Sequence, residues 1–209
     1  MLRSLVGSEM CIRDSASTAP PSGATIPERH PEAPPSGSKI PSHFAHCFGC
    51  GEKHPTGLHL VAHVGNAMDI TAEFVVSEDH QGAPGLAHGG LLSLAFDEAL
   101  GKLMWLLRAP AVTARLETDF LKPVPMGSKL FITAEITGQV SRKVYCSAVG
   151  RLNSPDGEIA VRAAALYVIV PMSHFLQNAP ADYLEAISKT PEVLAFVCLL
   201  YTSPSPRDS

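Results

Sequence analysis

HGGLLSLAFDEALGKLMWLL, running from His88 to Leu107, reads from Gly89 onward as one helix that is apolar on nearly every side. A helix of that kind is wrapped by other elements rather than laid on a surface. Two adjacent glycines at its mouth leave backbone N–H groups unshielded, at the positive end of the helix dipole. Such donors suit an oxygen that gains negative charge during acyl transfer. On a helical wheel Gly90, Ser93, Asp97 and Gly101 fall within one narrow stripe, while Leu92, Ala95, Phe96, Ala99 and Leu103 lie elsewhere. An acid on a stripe of small residues, in line with open amides, is an active-site arrangement and a poor core design. Glu98 points roughly 100° away from Asp97 around the helix, so it is not a second catalytic carboxylate.

Outward from this helix the pattern changes to alternation. Two strands are predicted before it, Leu58–Val64 and Met68–Val76, the second alternating through Met68, Ile70, Ala72, Phe74 and Val76. Four follow it: Ala111–Leu121, Lys129–Val140, Lys143–Asn153 and Glu158–Val170. His59 and His63 alternate with Leu58, Leu60 and Ala62, which turns them to solvent or to a subunit boundary. His80 starts the polar loop before the helix and reads as a loop residue shaping access to the site.

One buried helix between two early and four later strands resembles the hotdog fold. That α+β architecture curls an antiparallel sheet of about six strands around one long central helix. The segments LAHGGLLSLAFDEALG (Leu86–Gly101) and VTARLETDFLKPVPMG (Val112–Gly127) are similar to the acyl-CoA thioesterase branch of that superfamily. Its pattern is His-Gly-Gly, an Asp nine residues after the His, then a Thr-x-x-Leu/Val strand ending in Lys/Arg-Pro. His88, Gly89, Gly90, Asp97, Thr113 and Lys122-Pro123 match it, and the resemblance spans about Cys47–Val170.

The resemblance implies hydrolysis of an acyl-CoA thioester. Asp97 would activate water or attack the carbonyl, and Gly90, helped by Gly89, would hold the carbonyl oxygen. Thr113 would orient the carboxylate or the water, while His88 would hold the loop or the thioester. Arg142 and Lys143, in a turn between two long strands, would meet the phosphates of coenzyme A, as Lys and Arg do well. Lys122 and Ser93 complete the expected substrate contacts. No cofactor is implied, and the assembly would be a homodimer or homotetramer with sites at the subunit interface. Two other readings stay open. Hotdog dehydratases and hydratases place a His fourteen residues before the helix acid, where this chain has Ala83. A non-catalytic acyl-CoA-binding protein of the same fold would lose the helix carboxylate, which Asp97 retains.

Cys47-Phe-Gly-Cys50-Gly51 is a second focus. A C-x-x-C knuckle presents two thiolates to one metal, and His43, His46 and His54 lie near enough to complete a tetrahedral set. Structural zinc sites often use two such knuckles, and this chain has one. The reading adopted is that the cysteines pack a turn before the first strand and that no metal is bound.

The two ends read as foreign to the domain. Met10–Ser15 can be written ATG TGT ATA AGA GAC AGC, and the opposite strand, read two bases in, encodes Cys198–Thr202. Residues 1–15 and 198–209 are therefore expected to be translated sequencing adapter and are set aside. Residues 16–42, rich in Pro, Ser and Gly, are expected to be a disordered leader, 43–172 the hotdog domain, and 173–197 a partly helical extension. Setting the ends aside removes three bases (Arg3, Arg13, Arg207) and three acids (Glu9, Asp14, Asp208), leaving 13 against 17 and a net charge of −4. That mild acidity argues against a nucleic-acid partner, which calls for a basic stripe. No apolar run spans a membrane, because 89–107 carries Asp97, Glu98 and Lys102. Cys47, Cys50 and Cys146, with no signal peptide, suit a reduced cytoplasmic protein.

Overall fold

The computed structural model describes residues 17–178 and Pro180. Its elements begin with β1 (Lys39–Ile40), β2 (Val61–Val64), β3 (Asp69–Val75) and the small pair β4 (Gln81–Ala83) and β5 (Leu86–Ala87). Then come α1 (Gly89–Lys102), α2 (Met104–Leu107), β6 (Ala111–Phe120), β7 (Lys129–Val140), β8 (Lys143–Leu152), β9 (Ile159–Ile169) and α3 (Met172–Asn178). The larger sheet is antiparallel in the order β1-β2-β3-β7-β8-β9-β6. Six of its strands are those expected from alternation, and the two-residue β1 makes the seventh.

Alternation works as period-2 geometry requires. Ile70, Ala72 and Phe74 of β3 stand opposite Ala134, Ile132 and Leu130 of β7, and all six are buried. The same inner face takes α1, which touches β3, β6, β7, β8 and β9. Ala95, Phe96, Ala99 and Leu100 of α1 are fully buried. The stripe of small residues is the side left open: Gly90 is exposed, and Ser93, Asp97 and Gly101 are half-buried.

The single helix expected over 89–107 is two. Leu103 N–H reaches back to both Gly101 O and Leu100 O, a tightened last turn, and Arg108 closes α2 in the left-handed region at φ 48°. Gly101 in that final turn is a poor helix former, and its backbone freedom allows the break.

The leader is the main departure from the sequence reading. From residue 17 to residue 42 the segment is laid along the domain rather than disordered. Thr18, 7% exposed, donates to Glu117 at 2.7 Å. Thr25 pairs with Gln139, His30 N–H donates to Leu106 O at 2.9 Å, and Lys39–Ile40 joins β2. Short turns at its prolines and glycines let the segment follow the surface, and its backbone donors find partners there. The sheet thus begins at Lys39, before the expected boundary at 43. Of the expected extension, α3 covers the start. The adapter segments and, apart from Pro180, the rest of 173–197 lie outside the described residues.

Candidate active site and an adjoining thiol cluster

Asp97 sits on the open stripe of α1, beneath the edge of the sheet. Thr113 and Tyr167 are directly opposed in the β6–β9 ladder, so their side chains share a face. That face meets α1. Thr113 Oγ1 donates to Asp97 Oδ1 at 2.8 Å, and the Tyr167 hydroxyl donates to the same oxygen at 3.0 Å while also lying 2.9 Å from the Asp97 carbonyl oxygen. Both hydroxyls converge on Oδ1, and neither engages Oδ2. Burial, and then the Asp97 charge, hold the Tyr167 phenol well above its ordinary pKa, so it remains a donor.

The carboxylate opens on a cleft of about 670 Å³ whose walls include Asp97, Thr113, Tyr167, Met104, Trp105 and Arg108. Tyr167 is the site residue that sequence reading missed. Its signal was a hydroxyl within the apolar run Ala163–Ile169, but only the strand register shows that it faces Thr113.

At the helix mouth one expectation is corrected. The Gly90 amide, expected to be open, donates to His88 Nδ1 at 2.9 Å, so His88 is the N-cap of α1. The imidazole occupies the donor because an uncapped amide in the first turn takes any nearby acceptor. Gly90 and Asp97 are seven residues apart, which at helical rise separates them by about 10 Å along the axis. Within one chain they do not meet at a single carbonyl. His80 is also corrected. It is 2% exposed, accepts the Ser77 N–H at Nδ1 at 3.0 Å and packs edge-on against Phe74, so it is a core residue rather than an accessible loop residue.

The expected substrate contacts are dispersed. Arg142 lies in the β7–β8 turn and Lys143 opens β8, opposite Val168 and one row from the Tyr167–Thr113 pair. They share an end of the sheet with the cleft without lining it. Lys122 is paired with Glu158, and Ser93 lies one turn before Asp97, also outside the cleft walls.

Next to Asp97, and sharing its cleft through His43, Glu98 and Lys102, lies a second cluster. Single ligand atoms of His43, Cys47, Cys50 and Glu98 all lie within 4.8 Å of one another, and these residues could hold a metal. Cys47 Sγ is 3.4 Å from Glu98 Oε2, Cys50 Sγ is 3.5 Å from His43 Nδ1, and His43 Nδ1 is 3.8 Å from Glu98 Oε1. Lys102, 2% exposed, reaches Cys50 Sγ and Glu98 Oε1, both at 3.3 Å, and Pro41 O at 3.0 Å. Burial raises the Glu98 carboxyl above its usual range, against the pull of the Lys102 ammonium. The hydrogen bond from Cys47, then His43 and Lys102, lower the Cys50 thiol, and burial opposes them. His46 and His54, the other histidines considered near the knuckle, pack on Phe44 and Phe48 instead.

Comparison with known proteins places this geometry. The thioesterase superfamily profile matches residues 84–152, a span that holds His88, Gly89, Gly90, Asp97 and Thr113. The chain is 30% identical over 88 residues to acyl-coenzyme A thioesterase THEM4 of Xenopus laevis, covering 42% of this chain and 39% of that protein. It therefore spans about two fifths of the length of that relative. The PaaI protein from the phenylacetic acid degradation operon of E. coli superposes with a TM-score of 0.51 at 17% identity, over 55% of this chain and 81% of that one. The thioesterase superfamily protein RHA08564 gives a TM-score of 0.54 at 22% identity, over 66% and 70% of the two chains. These two likenesses show the fold. Residues 84–152 of this chain are thus similar to the thioesterase superfamily, and the fold is a hotdog fold.

Proposed function

We propose that this protein hydrolyses the thioester of an acyl-CoA to the free acid and coenzyme A. The observation that carries this is Asp97, held through one oxygen by Thr113 and Tyr167, on the wall of a cleft of about 670 Å³. Its other oxygen is left to the substrate side. A THEM4 relative named as an acyl-coenzyme A thioesterase supports the substrate class.

In this reading Asp97 either takes a proton from water as its oxygen bonds to the thioester carbon, or attacks that carbon itself. The carbonyl electrons move onto oxygen and return as the C–S bond breaks. The coenzyme A thiolate leaves and takes up a proton; where Asp97 is the nucleophile, water then cleaves the acyl–aspartyl anhydride, releasing the acid and restoring the carboxylate. Thioesters suit such a site, because their carbonyl is weakly resonance-stabilised and thiolate leaves easily. The developing oxyanion is met by amides at the mouth of α1, Gly89 N–H first and Gly90 N–H once the His88 ring turns aside. The separation of about 10 Å between Gly90 and Asp97 along one helix supports drawing those two contributions from different chains.

That reading requires a homodimer, alone or within a tetramer. Its support is the edge strand β6, ten residues long and without a fully buried residue, together with exposed Val75, Phe120 and Leu121. Phe120 also lies beside the helix mouth, since a Cβ added at Gly89 would sit 3.5 Å from its ring. Arg142 and Lys143 are assigned to the coenzyme A phosphates, and the free thiols Cys47, Cys50 and Cys146 suit the cytoplasm. Among the described residues no helix is long and apolar enough to cross a membrane.

The test is a panel of short, medium, long and aromatic acyl-CoAs incubated with the purified protein and a thiol-trapping dye. Thiol release that disappears in Asp97→Asn is the expected result. No release from any member of the panel rejects the reading.

A further inference from the structure

We infer that His43, Cys47, Cys50 and Glu98 form a closed, four-ligand zinc site that fastens the segment before β2 to the helix carrying Asp97. The ligand atoms come from two separate stretches of chain, Cys47, Cys50 and His43 from one and Glu98 from α1. A tetrahedral ion with bonds of about 2.0–2.3 Å has ligand–ligand edges of about 3.3–3.8 Å. Cys47 Sγ to Glu98 Oε2 at 3.4 Å and Cys50 Sγ to His43 Nδ1 at 3.5 Å fall in that range, and one ligand atom from each of the four residues lies within 4.8 Å of the others.

Two glycines make this approach possible. A Cβ at Gly49 would lie 2.4 Å from Glu98 Oε2, so a side chain there would push the carboxylate out of the cluster. A Cβ at Gly51 would lie 2.5 Å from both Ala45 O and Cys47 N, so the turn that brings the two sulfurs together closes only over glycine. Gly51 N–H also donates to Cys47 O at 2.8 Å within that turn.

The charge count fits a dication. Two thiolates and a carboxylate contribute three negative charges, and zinc with the buried Lys102 ammonium contributes three positive ones, so the site is neutral. The occupied site therefore leaves no net charge in a part-buried place. Ser42 Oγ, 3.3 Å from Cys50 Sγ, adds a polar contact at the ligand sulfur. Four protein ligands leave no open position, which makes the ion a structural clamp rather than a Lewis acid for the substrate. The clamp stands apart from the hydrolytic reading: it holds or fails whatever the protein acts on.

The experiment measures metal directly on the full chain, expressed with zinc and purified reduced and without a histidine tag. Elemental analysis should find about one zinc per chain. Replacing it with cobalt should give the d–d bands of a tetrahedral site and thiolate-to-cobalt charge transfer. Alkylation with peptide mass mapping should show Cys47 and Cys50 protected until a chelator is added, with Cys146 indifferent to the chelator. That readout needs no variant to fold. Glu98→Gln should keep the charge transfer and weaken metal affinity at least tenfold. A protein that stays metal-free in excess zinc, shows no thiolate charge transfer with cobalt, or carries a Cys47–Cys50 disulfide under reducing conditions overturns the site. Unchanged affinity in Glu98→Gln overturns the link to the helix.

Discussion

Thr113 Oγ1 stands 2.8 Å from Asp97 Oδ1, a bond that ties the edge strand β6 to the open stripe of α1 across sixteen residues of sequence. Together with the Tyr167 hydroxyl on the same oxygen, it fixes the carboxylate in one orientation on the open helix face. The β6–β9 ladder is irregular between Thr113 and Arg115, immediately beside this contact. Bulges re-aim side chains, and this one lies where a hydroxyl has to leave the sheet and meet the helix.

Asp97→Asn keeps the size of the side chain and removes its charge. Turnover of acyl-CoA should fall by roughly two to four decades, as expected for a positioned base or nucleophile. Thermal unfolding should be nearly unchanged. Parental turnover in this variant would make the carboxylate a structural group.

Tyr167→Phe deletes one of the two hydroxyls on Oδ1 without opening a cavity. A fall in kcat of about tenfold, worth about 1.4 kcal/mol, is expected with KM little changed. Thr113→Val should act similarly, and the double variant should lose less or more than the sum, because both hydroxyls hold one oxygen. Strict additivity of the two effects would separate them.

Arg142→Ala with Lys143→Ala should raise KM for acyl-CoA and steepen no other parameter. The same variant should treat a short acyl-pantetheine substrate, which lacks the nucleotide phosphates, like the parent. An equal loss on both substrates would show that the turn serves the fold instead.

Mixing tests the shared site. Asp97→Asn and Gly90→Pro chains, each inactive, would be unfolded together and refolded. Sites built from two chains give each mixed dimer one intact site, about a quarter of parental site activity at equal random mixing. If both chains fold and exchange yet no activity returns, the site belongs to a single chain.

Gly51→Ala probes the turn at the thiol cluster. Backbone atoms at 2.5 Å have no room to yield, so a loss of about 1–3 kcal/mol is expected in denaturant unfolding. Stability equal to the parent would mean that the turn opens freely.

Periodicity determined much of this protein before any coordinates. An apolar helix with one stripe of small residues had to be wrapped, and alternating strands with two faces had to do the wrapping, because side-chain period alone dictates which face is dry. That reasoning placed Asp97, Thr113 and the strands around them. What it could not supply were the meetings between distant segments. Tyr167 reaches Asp97 only through the β6–β9 register, and register is a property of paired strands rather than of either one. The leader finds its partners on a surface that exists only after folding, so composition alone suggested disorder. His88 closes on Gly90 through a rotamer, which the sequence leaves free. Cys47, Cys50 and His43 meet Glu98 because α1 is rotated to point Asp97 at the cleft, and the next residue, about 100° around, then faces the knuckle.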